Sequence, residues 1–173
     1  MHDQRDEEFT AFVVERGAAL LRTAFLVTGD RASGEDLLQT ALARAYGSWA
    51  RVRQAEDTTA YVRRILVNCH LSWRRRLLST EQVVETLPDR GGGDPQEAHA
   101  ATDEMRRALL QLSPRVRAAV VLRYFEDLIE AETARLMGTS VSTVNNQVSG
   151  GLARLRVLLS PAADLPADGR RRS

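Results

Sequence analysis

The chain contains no lysine. All 24 basic residues are arginine. With the richness in alanine, this points first to the coding bias of a high-GC genome and only second to chemistry. Cysteine is almost as scarce. Cys69 stands alone, so an intramolecular disulfide is impossible and a cysteine-based zinc site is excluded. It lies in an apolar helical run, where a buried, inert thiol is expected. His2, His70 and His99 are scattered without ligand spacing, so neither a metal site nor a cofactor is expected. No apolar run reaches 18 residues, which leaves nothing to span a membrane. The opening MHDQRDEEF is acidic and polar, unlike a secretory signal, and a soluble, intracellular protein is expected. The formal net charge is only +1, so charge over the whole chain selects no partner, and its distribution becomes the informative quantity.

Hydrophobic residues make up 43% and charged ones 27%, enough to fold and too apolar for a disordered polymer. A length of 173 residues allows one domain or two small ones. The periodicity is helical. Residues 5–28 carry an apolar stripe through Phe9, Phe12, Leu20, Ala24 and Val27, with Gly17 a possible bend. Ser33-Gly34-Glu35-Asp36 offers an N-cap followed by acids that suit the helix dipole. The helix after it, to about Trp49, buries Leu37, Leu38, Ala41, Leu42 and Ala45. That leaves Asp36, Gln39, Thr40, Ala43 and Arg44 elsewhere on the wheel. Val52–Thr59 reads as a polar connection.

A long helix is expected from about Ala60 to Leu78, with Val62, Ile65 or Leu66, Cys69 and Trp73 buried. Thr58–Thr80 contains no Asp or Glu and five arginines, Arg63, Arg64, Arg74, Arg75 and Arg76. A one-sided basic helix with Asn68 and aromatic residues among the charges suits a nucleic-acid backbone. The bland alternative is a solvated helix whose arginines pair with acids elsewhere. Residues 79–101 change character. Gly91-Gly92-Gly93, Pro88 and Pro95 mark a flexible break, and Glu81, Glu85, Asp89, Asp94 and Glu97 stand against Arg90 alone.

A second helical unit follows, 102 to about 159. Ser113-Pro114 gives an N-cap with proline at the first helical position. Leu128–Arg156 then reads as helix, turn, helix. Gly138 can end the first helix in the left-handed conformation, Ser140 caps the next, and Val144, Val148, Leu152 and Leu155 form its buried stripe. This is the helix-turn-helix pattern, whose second helix enters the DNA major groove. Any helical bundle also uses helix–turn–helix connections. Residues 160–173, rich in Pro, Ala and Arg, read as a disordered tail. The fold class is therefore all-α: two small helical domains, 5–78 and 102–159, joined by a flexible acidic linker, 79–101. The second is a four-helix helix-turn-helix domain, winged-helix-like but without a wing.

In this order the segments resemble the extracytoplasmic-function (ECF) sigma factors, small two-domain members of the sigma-70 family. EDLLQTALARAYGSW resembles region 2.1–2.2. AYVRRILVNCHLSWRRR resembles regions 2.3–2.4, usually W/Y-L-x-R-I-A-x-N. LSPRVRAAVVLRYFEDLIEAETARLMGTSVSTVNNQVSGGLARLR resembles region 4, usually LSPRQRxVLxLRYFEDLSxxEIAxxLGxSxGTVKSxxxRALxxLR. The resemblance covers about residues 8–158 and the last match is ungapped.

It implies a non-enzymatic transcription factor that binds the beta and beta-prime subunits of core RNA polymerase and promoter DNA. Many members are also restrained by an anti-sigma factor. Such a protein works in the cytoplasm, at the nucleoid, and serves a stress or developmental regulon. By position, Asp36, Gln39, Thr40, Ala43 and Arg44 fall on the polymerase clamp. Val52, Arg63, Arg64, Asn68, Ser72 and Arg75 fall on the −10 element, with Val52 in the loop that helps pocket a flipped base. Arg123, Ser142, Thr143, Asn145, Asn146, Gln147 and Ser149 fall on the −35 element. The linker acids Asp89, Asp94 and Glu97 would sit in a basic nucleic-acid channel of the polymerase.

The recognition helix departs from the family pattern. GTVKS becomes Ser142-Thr143-Val144-Asn145-Asn146, the usual following Arg is Gly150, and the usual capping Ser is Ile129, a lost cap costing about 1 kcal/mol. No basic residue lies between Arg135 and Arg154, so phosphate contacts by this domain are expected to be few. Asn and Gln pair bidentately with adenine, and an adenine-containing −35 core is expected. A stand-alone helix-turn-helix regulator is the rival reading, disfavoured by the polymerase-like first half and the lack of an evident ligand pocket. A nucleic-acid enzyme is another, unsupported by any carboxylate pair, phosphate loop or nucleophile constellation.

Overall fold

A computed structural model describes residues 2–79 and 100–160, and every described element is helical. The first half comprises α1 (His2–Thr28), α2 (Arg31–Gly47), the short α3 (Trp49–Val52) and α4 (Thr58–Ser79). The second comprises α5 (Ala100–Leu110), α6 (Pro114–Val120), a π-helical turn (Val121–Phe125), α7 (Glu130–Met137) and α8 (Val141–Leu159). The linker acids Asp89, Asp94 and Glu97 and the arginines of the tail lie outside the described residues.

In the first half α2 packs against both α1 and α4. Leu20, Ala24 and Val27 of α1, Leu37, Ala41 and Ala45 of α2, and Val62, Leu66 and Cys69 of α4 are buried together. Trp49 of α3 closes one end, with Phe9 edge-on to its ring at 5.1 Å and Phe12 tilted against it at 5.3 Å. Gly17 does not break α1, which runs continuously from His2 to Thr28. A Cβ there would meet only Val13 Cγ1 at 3.7 Å, so a continuous helix through it carries only the propensity cost of glycine.

The cap of α2 also differs from expectation. Asp30, not Ser33, is the N-cap, and its Oδ1 accepts the Ser33 N–H at 2.8 Å. Gly34 then lies a full turn inside α2, where a Cβ would stand 3.1 Å from the Phe25 backbone. The expected polar connection after Val52 is in part helical. Trp49–Val52 form α3 and α4 begins at Thr58.

In the second half Ser113 precedes Pro114 at the start of α6 as expected, although its side chain makes no capping bond. Gly138 ends α7 with φ +63°, and Ser140 Oγ accepts the Thr143 N–H at 3.1 Å. Ile129 occupies the N-cap of α7 without a side-chain bond. Between α6 and α7 the chain passes the π turn, where Glu126 N–H donates to Val121 O at 3.1 Å, and Asp127 takes a φ of 57°. A left-handed residue here turns the chain sharply; Asp tolerates it better than bulkier residues.

The helix-turn-helix packs on α6 through Gly151. A Cβ there would lie 2.7 Å from Val120 Cγ2 and 2.8 Å from Val116 Cγ1. At Gly150, one residue away, a Cβ would meet nothing within 4 Å.

The halves also touch each other. α4 packs on α6 and α7, and α1 packs on α6 and the π turn. His70 of α4 is buried here, at 2% exposure, with neither ring nitrogen hydrogen-bonded. Burial, with Arg117 and Arg74 nearby, lowers its pKa from 6.5 to about 4. Desolvation also lowers that of Arg117 to about 10, still protonated at neutral pH.

Two predictions follow from this packing. By thermal unfolding, Gly150→Ala should stabilise by about 0.5–1 kcal/mol through helix propensity. Gly151→Ala should destabilise by about 1–2 kcal/mol, because Val116 and Val120 must move. For His70, both folded and unfolded chains are neutral at pH 7. Below about 6.5 the unfolded chain binds a proton that the folded chain refuses until about pH 4. Stability should therefore fall as pH drops from about 6.5 to about 4, by on the order of 3 kcal/mol. His70→Gln should flatten that part of the pH–stability profile.

Candidate polymerase and nucleic-acid interfaces

α2 presents Asp36, Gln39, Thr40, Ala43 and Arg44 at i, i+3, i+4, i+7 and i+8, and all five are exposed. They form one continuous face, opposite the buried Leu37, Ala41 and Ala45. Asp36, Thr40 and Arg44 also line a groove of about 560 Å³ whose other wall includes Cys69, Ser72, Trp73 and Arg76 of α4. Burial raises the pKa of the Cys69 thiol in spite of the nearby Arg44, so Cys69 is the inert thiol expected. Trp73 was expected in the core. It is 44% exposed and forms part of this wall, beside α2 in the open groove.

α4 divides its predicted −10 residues between two faces. Arg64, Asn68 and Arg75 are exposed at i, i+4 and i+11, with the half-buried Ser72 on the same stripe but inside the α2–α4 groove. Arg63, one residue round the helix, faces the second half of the molecule. Its side chain is 14% exposed and its Nη2 lies 2.9 Å from Glu126 Oε2. In this structure Arg63 is therefore paired with an acid elsewhere in the chain. Val52 has no exposed surface. It is a core residue of α3, and contact with a base there requires α3 to move.

α8 presents Ser142, Asn145, Asn146 and Ser149 along one exposed face. Two of the residues expected beside them do other work. Thr143 is half-buried, and its Oγ1 lies 2.9 Å from Ser140 Oγ within the cap. Gln147 turns toward the protein, with Oε1 buried and unpartnered, because its position is off the 142–149 stripe. Arg123 is also drawn inward: its guanidinium donates to Leu128 O and lies 4.0 Å from Glu130. Asn145 Nδ2 donates to the same Glu130 at 3.4 Å. Glu130 thus lies within reach of both predicted −35 residues.

No group of His, Cys, Asp and Glu suited to a metal occurs among the described residues. No described helix is long and apolar enough to cross a membrane.

Two helical units, each with an exposed polar face, match two parts of one known family. The profile of sigma-70 region 2 matches residues 12–79, and that of sigma-70 region 4 matches residues 102–155. The chain belongs to the sigma-70 family. It is 39% identical over 160 residues to the RNA polymerase sigma-E factor of Streptomyces coelicolor, covering 92% of this chain and 90% of that protein. It is 30% identical over 153 residues to the ECF RNA polymerase sigma factor SigL of Mycobacterium tuberculosis, covering 84% and 85%. Among solved structures, the sigma factor RpoE of Bartonella quintana, crystallised with the anti-sigma factor NepR, shares the fold. Its TM-score is 0.70 at 21% identity, over 91% of this chain and 99% of that one. The chain is an all-α sigma factor whose first half is region 2 and whose second half is region 4.

Proposed function

We propose that this sigma factor docks on core RNA polymerase through the α2 face Asp36, Gln39, Thr40, Ala43 and Arg44. It engages the −10 element through α4, with Arg64, Asn68 and Arg75 as the exposed contacts and Arg63 joining them when released from Glu126. It reads the −35 element through Ser142, Asn145, Asn146 and Ser149 of α8. Linker acids Asp89, Asp94 and Glu97 enter a basic channel of the polymerase, and the α2–α4 groove is open to an anti-sigma factor. The protein acts in the cytoplasm, at the nucleoid, and carries out no chemistry of its own. Its domains divide at 79 and 101.

The observation that carries this reading is the contrast between α4 and α8. α4 is basic and free of acids, which suits phosphates. The exposed α8 face is uncharged and rich in amides, which suits base edges rather than phosphates. Affinity is therefore assigned to α4 and the polymerase, and discrimination to α8. Each bidentate amide–adenine pair contributes about 1–3 kcal/mol of discrimination.

Run-off transcription with purified core polymerase and a randomised promoter library tests the assignment. Asn145→Ala and Asn146→Ala should each lose about 10-fold or more of their preference for adenine within the −35 core, while −10 preferences stay fixed. Unchanged ranking of −35 variants would overturn the α8 assignment. Neutralising Asp89, Asp94 and Glu97 should alter the abortive-transcript pattern or core affinity.

A further inference from the structure

An acid stands beside the uncharged face of the recognition helix. Glu130 is the first residue of α7, and its carboxylate is shared between two neighbours. Oε1 lies 4.0 Å from Arg123 Nη2, and Oε2 accepts an amide N–H of Asn145 Nδ2 at 3.4 Å. The Arg123 guanidinium also donates to Leu128 O, so the carboxylate has a charged neighbour on one side while its second oxygen reaches α8. The backbone fixes this approach. Gly138 makes the turn between α7 and α8, and Ser140 caps α8 through the Thr143 N–H. Glu130 remains 46% exposed, next to Asn145 on the exposed stripe of α8.

For a helix that enters DNA, a carboxylate at this place opposes binding. It repels phosphates and occupies an arginine that would otherwise be open to them. A place in the first turn of α7 suits the helix dipole, but Glu132 lies in the same turn and serves that end as well. Glu130 in addition orients an amide. An ionised carboxylate only accepts hydrogen bonds, so it draws the Asn145 nitrogen toward itself and turns the amide oxygen away. The second hydrogen on Nδ2 stays available beside that oxygen. This is the arrangement that pairs with adenine, whose N6 amino group donates and whose N7 accepts. An amide rotated by half a turn offers its donors first, and then suits the acceptors of guanine or thymine.

We infer that Glu130 is a specificity-determining positioning residue of the −35 interface: it holds the Asn145 amide in the orientation that selects adenine, and it lowers affinity for DNA in doing so. The inference rests on the reading that α8 enters the −35 major groove and that Asn145 contacts a base there. Glu130 acts through Asn145, so its effect on base preference should vanish when Asn145 is removed, whereas its effect on charge should not.

The test uses core polymerase carrying the full chain, with run-off transcription and salt-dependent binding on promoters bearing each base at each −35 position. Wild type is compared with Glu130→Ala, Glu130→Gln, Glu132→Gln, Asn145→Ala and the double variant Glu130→Ala/Asn145→Ala, with thermal unfolding as the check on folding. At the position whose ranking Asn145→Ala changes, Glu130→Ala should lose about 3- to 10-fold of the adenine preference, with guanine and thymine gaining. It should also bind all promoters more tightly, with a salt slope steeper by about one as Arg123 becomes open to phosphate. Glu130→Gln keeps an acceptor and removes the charge. It should show the same salt slope and an intermediate preference, and it carries the expectation should Glu130→Ala unfold. In the double variant the ranking should match that of Asn145→Ala alone. An unchanged ranking in folded Glu130→Ala, or an equal loss of adenine preference in Glu132→Gln, would overturn the inference while leaving the α8 assignment in place. So would a further loss of preference in the double variant. If Asn145→Ala itself changed no ranking, the α8 assignment would fall and the inference with it.

Discussion

One carboxylate joins the two halves of this sigma factor. Glu126 receives Arg63 from α4 and Thr23 from α1, so it fixes how region 4 sits on region 2. Its position depends on the π turn before it, which ends with the Glu126 N–H bonded to Val121 O, and on the left-handed Asp127 after it. The same constraint appears at the C-terminus of α1. A 27-residue helix leaves its last carbonyls unpaired, and Arg106 and Arg117 of the other half supply the donors at Gly29 and Val27. The hydrophobic core is continuous across both halves, but the directional contacts at their junction are polar and incompletely satisfied. Such contacts specify an arrangement more than they stabilise it.

The division of labour between the two DNA-facing helices follows from the same chemistry. Arginine on α4 offers bidentate, always-charged donors to phosphate, and α4 itself carries no acid to compete for them, although Arg63 is paired with Glu126 of the second half. α8 has given up positive charge between Arg135 and Arg154 and offers serine and asparagine instead. Its geometry is rigid. Ser140 caps its start, Gly138 sets the turn, and Gly151 lets it lie against Val116 and Val120. A short amide side chain on a fixed helix is well placed to distinguish bases and poorly placed to supply affinity.

Much of this was legible in the sequence because it depends on local rules. The helical periodicity, the Gly138–Ser140 turn, the uncapped Ile129 and the exposed stripe of α2 all follow from residues within a few positions of one another. Reading failed once locally, at a helix cap, and otherwise where the deciding partner was distant. Ser33 looks like a cap until Asp30 is seen to start α2 earlier. Trp73 looks like core until it is seen to line the open groove between α2 and α4. Arg63 and Arg64 are indistinguishable in sequence, yet one is paired with Glu126 and the other is exposed. The sole signal for Glu126 was the lack of acids from Thr58 to Thr80, which leaves buried arginines to find partners elsewhere. Gln147 lies a single step of 100° around α8 from the exposed Asn146 and is half-buried.

The central claim is that α8 discriminates bases while α4 supplies affinity. Salt-dependent binding to promoter variants by core polymerase carrying wild type, Asn145→Ala or Arg64→Ala tests it most directly. Arg64→Ala should weaken binding to all promoters alike and reduce the salt slope, while Asn145→Ala should lose the preference for adenine in the −35 core with the salt slope unchanged. Uniform weakening by Asn145→Ala with an unchanged ranking of −35 variants would contradict it.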